Sequence, residues 1–278
     1  MRNVLKSLYL VNEGNPGPIF TDTEWLWTFL GIVFHTFCYQ VVAPKISRLS
    51  ETYRFMEAQH EKLQDVETER SMAEWNSRVV STIHALIVST LGIYSVLYEG
   101  VIVDFKLYHV TPISDIATSF MLGYILYDLI LVLKWWPDDY GMIAHHFTAA
   151  TMHVGVLCYD IVVLELGYVI SEISTPFLNN RYFLDKSNSR GTLYMINGII
   201  IWILFFIVRI IILLPLVPSM HFFHPDDFAE YIPFGVGAYM YILYATISSL
   251  NVFWFYRITL GMIKAIKGRP KSPKHKLN

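Results

Sequence analysis

Trp135-Trp-Pro-Asp-Asp-Tyr140-Gly-Met-Ile-Ala-His145-His146-Phe-Thr-Ala-Ala-Thr-Met-His153-Val-Gly-Val156 begins as an aromatic, acidic turn and becomes an apolar helix with two adjacent histidines. Imidazole nitrogens in hydrocarbon need partners, so His145 and His146 demand a surrounding structure that supplies them. Thr148, Ala149 and Ala150 keep the neighbouring surface small, which lets another helix or a ligand approach closely.

The rest of the chain has the composition of such a surrounding. Of 278 residues, 54% are hydrophobic and 16% charged, and several apolar runs carry almost no charge. This is the composition of an all-α polytopic membrane bundle. A net charge of -2 and the absence of a basic stripe give no hint of nucleic acid, and no nucleic-acid partner is expected. Cys38 and Cys158 lie in apolar segments and form neither a disulfide framework nor a zinc motif. The sequence contains no Gly-x-Ser-x-Gly elbow, phosphate loop or dinucleotide fingerprint.

Seven spans are predicted: Trp25 to Val42, Val79 to Leu97, Pro112 to Leu133, Tyr140 to Tyr159, Val162 to Leu178, Leu193 to Leu216 and Ile232 to Ile263. Thr21 with Glu24, and Ser71 with Glu74, have capping-box spacing ahead of the first two, and Thr111-Pro112 opens the third. The fifth is short and contains Gly167, Glu172 and Pro176, the composition of a tilted or broken helix. The charged stretch Arg48 to Arg70 has apolar residues at roughly helical spacing and reads as an amphipathic helix or a solvated connector. The chain divides into an N-terminal segment 1–70, a core domain 71–267 and a basic tail 268–278. With an outside N-terminus, loops on one side carry 15 Lys and Arg and those on the other carry 3. This asymmetry places the C-terminus in the cytosol. Lys274 and Lys276, fifth and third from the end, resemble a dilysine retrieval signal.

That topology brings polar residues from six spans to one shallow layer. They are Asp128, the His145–His146 pair, His84, Glu172, Asn197 and Arg257. Asp128 is the expected partner of the histidine pair, because a turn of about six residues joins their antiparallel helices. A histidine beside a carboxylate gains a fixed tautomer and a more basic second nitrogen, which suits a general base or nucleophile. Arg209, deeper in the sixth span, is placed to bind a phosphate or pair with a carboxylate, and Asn251 sits near mid-span in the seventh. His145, His146 and Asp128 are therefore the catalytic candidates, with Glu172, His84, Asn197, Arg209 and Asn251 as substrate-binding candidates. His153, seven residues beyond His146, reads as structural. Adjacent histidines point about 100° apart on a helix and do not share one ion, so no metal site is assigned.

At these residues the chain resembles the TLC-domain family, which includes the ceramide synthases, translocation-associated membrane proteins and a ceroid-lipofuscinosis protein. The resemblance rests on Glu74-Trp75-Asn76-Ser77-Arg78, Asp128, His145-His146, Glu172-Ile-Ser174-Thr-Pro176-Phe177, Asn179 to Arg181, Asn197-Gly198 and Arg209. Within it the chain looks most like the subgroup typified by TLC domain-containing protein 4. The resemblance implies a six-helix lipid-facing core around the histidine pair, an endoplasmic-reticulum location and a part in lipid homeostasis. In ceramide synthases the pair belongs to the acyl-transfer site and an aspartate pair follows. Here that later region reads Glu172-x-Ser174-x-Pro176, a departure that leaves acyl or lipid chemistry other than ceramide synthesis open. Three functions follow as expectations. One is a His-dependent acyltransferase or transacylase on membrane lipids, with acyl-CoA or an acyl-lipid as co-substrate and no resident cofactor. The others are a non-enzymatic lipid-binding regulator of membrane composition and a cargo- or partner-binding membrane protein. Oligomeric state is not encoded in any of these features.

Overall fold

The computed structural model describes residues 20–99, 110–159, 161–223, 225, 232 and 234–267. Among these most residues are helical and none is in a strand. The N-terminal 19 residues and the basic tail with Lys274 and Lys276 lie outside the described residues.

Helix α1, Asp22–Ser47, starts at the expected cap: the Thr21 hydroxyl accepts from the Glu24 amide, and the Glu24 carboxylate accepts from the Thr21 amide. Its Cys38–Val42 stretch is π-helical, just ahead of Pro44, which has no N–H to close an ordinary turn. Helix α2, Glu51–Leu63, realises the amphipathic segment and ends where Gln64 turns left-handed at φ 50°. Helix α3, Val66–Tyr98, begins earlier than the sequence suggested. Asp65 caps it by accepting from the Thr68 amide at 2.7 Å, so Ser71 and Glu74 sit inside the helix. Freed from capping, Glu74 pairs with Arg78 at 2.9 Å. Helix α4, Pro112–Trp135, opens on Thr111 and Pro112 as expected, and a short turn leads into α5, Tyr140–Cys158.

The fifth span is broken. Helix α6, Val162–Ser171, runs into a 3-10 turn at Glu172–Ser174, and α7, Thr175–Lys186, restarts with Pro176 in its first turn, where its missing N–H costs nothing. Helices α8, Thr192–Phe223, and α9, Phe234–Lys267, complete the bundle. Five of these elements, α1, α3, α4, α8 and α9, are long and apolar enough to cross a membrane. The expected spans four and five are not among them. The three histidines of α5 lower its hydropathy, and the break at Glu172 leaves α6 and α7 short.

Hydrocarbon solvates apolar side chains as well as protein does, so close packing and internal polar contacts must hold such helices together. Helices α1 and α4 approach backbone to backbone. A β-carbon at Gly123 would lie 2.4 Å from the Thr28 carbonyl oxygen and 2.9 Å from the Gly31 α-carbon. Thr28 fixes the crossing by donating to the Ser119 carbonyl at 3.2 Å. Asn76 ties the N-terminal helices to α3: it accepts from Ser47 at 2.7 Å and donates to buried Tyr53 at 2.9 Å. Val88, Leu122, Ile125, Val156, Leu166 and Val169 join α3, α4, α5 and α6 in the main apolar core. Polar side chains gather beside that core, at the level where α5 meets α9.

Candidate functional site

His146 and Asp128 meet as the short α4–α5 turn requires. Asp128 Oδ2 lies 3.0 Å from His146 Nε2, and both side chains are less than 10% exposed. The other carboxylate oxygen accepts from the Ser77 hydroxyl at 3.3 Å, so α3 helps hold the carboxylate in place. Both His146 and His145 line a cavity of about 50 Å³ between α4, α5, α6, α8 and α9. Asp128 stands behind His146 rather than in the wall. Although adjacent residues diverge around a helix, the His145 ring turns back to meet His146 edge-on at 5.2 Å and Trp254 of α9 at 5.1 Å. The Nδ1 atoms of both histidines are buried without a hydrogen-bond partner among the described residues.

The opposite wall is an ionic cluster. Arg209, within the π-helical stretch Phe206–Ile212 of α8, contacts Glu172 at 2.9 Å. Its other N–H groups reach Ser174 at 3.2 Å and Asn251 at 3.4 Å. Of the two alternatives for Arg209, the carboxylate pair is the one formed. Glu172 is able to reach it because the 3-10 turn rotates that residue out of the α6 register. Thus Glu172, Arg209 and Asn251 all line the cavity.

His84 and Asn197 do not. His84 turns toward α1, where its Nδ1 lies 3.2 Å from His35 Nε2, and its ring stacks on Tyr124 at 3.8 Å. Tyr124, not His84, faces the cavity. Asn197 is consumed by α7: it donates to the Phe177 carbonyl at 2.9 Å and accepts from Asn180 at 3.0 Å. Beside it, Arg181 lies over the Tyr194 ring at 3.2 Å, and a β-carbon at Gly198 would sit 2.9 Å from its guanidinium, so the arginine would have to shift. Arg257 is exposed and does not join the layer. Equal depth along the chain placed these residues at one level, but depth carries no information about which way a side chain points around its helix.

Sequence reasoning missed Glu165 and read its partner His153 as structural. Glu165 of α6 is 0% exposed, and its Oε1 lies 2.7 Å from Nε2 of His153. Both residues line the cavity two turns beyond His146. A lone carboxylate in Val162-Val-Leu-Glu165-Leu-Gly was the available signal, since a charge in an apolar run calls for a partner. In both histidine–carboxylate pairs the oxygen sits off the ring N–H axis, so charge rather than an aligned hydrogen bond holds them. Among the described residues no three His, Cys, Asp or Glu side chains converge to hold a metal ion.

A pair made of imidazole and carboxylate at a small membrane-embedded cavity can take a proton from a nucleophile and stabilise the imidazolium that results. The family model described as TLC domain matches residues 74–260. TLC domain-containing protein 4-B of Danio rerio is 30% identical over 206 residues, covering 72% of this chain and 78% of its own. TLC domain-containing protein 4 of Xenopus tropicalis is 28% identical over 246 residues, covering 84% and 88%. The human protein of that name is 30% identical over 200 residues, covering 69% and 75%.

Proposed function

Because the chain belongs to the TLC-domain family of multi-pass membrane proteins, we propose that it acts in membrane-lipid homeostasis as an acyltransferase or transacylase whose base is His146. The observation that carries this reading is the 3.0 Å approach of Asp128 to Nε2 of a cavity-lining histidine whose Nδ1 is unpartnered. Nε2 carries the proton facing the carboxylate, because a carboxylate only accepts. That leaves the Nδ1 lone pair for substrate. It removes the proton from an attacking hydroxyl or amine of a membrane lipid while the acyl carbonyl of an acyl-CoA or acyl-lipid is attacked. Asp128 stabilises the imidazolium that results, and collapse expels the leaving group, which takes a proton from an acid of the cavity. A cavity of about 50 Å³ holds only a few waters' worth of polar volume, so it fits the reacting groups and not an acyl chain. The chain would lie along the apolar helix surfaces.

The test is lipidomics of cells lacking the protein, rescued with wild type or with His145→Ala/His146→Ala. Wild type should restore the lipid profile and the double variant should not. Restoration by the double variant at normal abundance would remove the enzyme and leave a lipid-binding role. One observation favours that second reading: Arg209 and Glu172 satisfy each other, as in a cluster that holds a bundle together.

We further propose that the C-terminus is cytosolic, supported by the 15 to 3 distribution of Lys and Arg, in a protein whose family membership supports residence in the endoplasmic reticulum. A C-terminal epitope should become accessible when only the plasma membrane is permeabilised; protection of that epitope would reverse the orientation.

A further inference from the structure

His153 and Glu165 raise a question of protons. The His153 Nδ1 atom lies 2.8 Å from the Ala149 carbonyl oxygen, an acceptor, so Nδ1 must carry a hydrogen. In the neutral ring Nε2 then holds a lone pair. A lone pair and a carboxylate oxygen do not settle 2.7 Å apart in a site that is 2% and 0% exposed. So close a buried approach needs a proton on the pair, either a histidine protonated on both nitrogens beside the carboxylate or a protonated carboxyl beside the ring. His146 is wired differently. No backbone carbonyl takes its Nδ1, and its Nε2 faces the carboxylate. With Nε2 protonated, its pair bears one negative charge and has a free lone pair. The His153 pair is neutral and has a proton to give.

We propose that the His153–Glu165 pair stores a proton and is the acid end of the cavity, opposed to His146–Asp128 as the base end. His146 and His153 are seven residues apart on one face of α5, about 10 Å along its axis. Both line the same cavity. The buried Tyr168 hydroxyl, one turn from Glu165 and without a partner among the described residues, extends the acid end. The proposal rests on the acyl-transfer reading for its chemistry. Nδ1 of His146 takes the proton of the attacking O–H or N–H, and the new C–O or C–N bond forms as the carbonyl π pair moves to oxygen. Collapse breaks the bond to the leaving group, which takes the stored proton. Between turnovers the proton on His146 returns to the His153–Glu165 pair, so no proton is consumed. Other ionisable groups lie near this acid end: Tyr124 from α4, His145 on α5, Arg209 from α8 and Tyr244 from α9, with His84 of α3 outside the cavity but within electrostatic range of His153.

The decisive variant is Glu165→Gln in the full-length protein reconstituted in lipid nanodiscs. The amide donates to the Nε2 lone pair and keeps the site neutral, so abundance and thermal stability should match wild type. Infrared and ¹⁵N-histidine spectra at neutral pH should show, in wild type only, either a protonated buried carboxyl or a histidine protonated on both nitrogens. A spectrum with neutral His153 beside ionised Glu165 overturns the proposal. Once the lipid product is identified, Glu165→Gln should lower activity about 10²-fold or more and remove the alkaline limb of the pH profile, leaving the acid limb set by His146. Full activity with an unchanged profile would reduce the pair to a structural contact and overturn it too. If no acyl transfer is found at any pH, the functional reading falls, and the spectra alone decide whether the proton is stored.

Discussion

Asp128→Asn is expected to leave the protein at normal abundance while cutting acyl transfer by about 10²–10⁴-fold, the range for losing a positioned acid or base. The substitution keeps shape and volume behind His146. It also keeps an oxygen able to accept from Ser77, whose hydroxyl now reaches Asp128 at 3.3 Å. What changes is the atom toward Nε2. An amide nitrogen there is a donor, so Nε2 must offer its lone pair, and the ring proton moves to Nδ1. The nitrogen left for substrate is then no longer a base, and no negative charge stabilises the imidazolium. The measurement is a rate and a lipid profile normalised to protein level. A variant with wild-type rate would show that the 3.0 Å contact is not part of the chemistry.

Arg209→Met is expected to act on the fold first, at a cost of about 3–5 kcal/mol, as for breaking a buried ion pair. Methionine fills much of the space, but Glu172 is left with its charge at the cavity wall and no guanidinium 2.9 Å away. Ser174 and Asn251 lose a donor at the same time. Steady-state abundance and thermal unfolding in detergent should both fall sharply. Adding Glu172→Gln should recover a substantial part of the loss, because the uncompensated charge causes most of it. Arg209→Met with wild-type stability, or a double variant no better than the single, would show that this pair does not hold the bundle. Asp128→Asn and Arg209→Met therefore separate the two kinds of polar contact in one cavity, by rate in one case and by stability in the other.

Much of this molecule was legible along the chain. Apolar run lengths, Thr21 and Glu24, Thr111 and Pro112, and the Gly167–Glu172–Pro176 composition determined an all-helical membrane bundle with a broken fifth element. These are local effects, set by capping atoms and by the cost of charge in hydrocarbon. The Asp128–His146 contact was equally local, since a turn too short to allow another arrangement joins their helices. The start of α3 was misplaced because Asp65 competes with Ser71 for the same capping role, and the earlier residue has the stretch Glu67 to Arg70 free to continue as helix. Tertiary structure alone decided the rest. Rotation of each helix about its own axis sent His84 to His35 and Asn197 to Phe177, and brought Glu165 to His153. Sequence spacing gives a residue's depth in a span, whereas facing depends on contacts such as the Gly31–Gly123 crossing and the 3-10 turn at Glu172, made between residues distant in the chain.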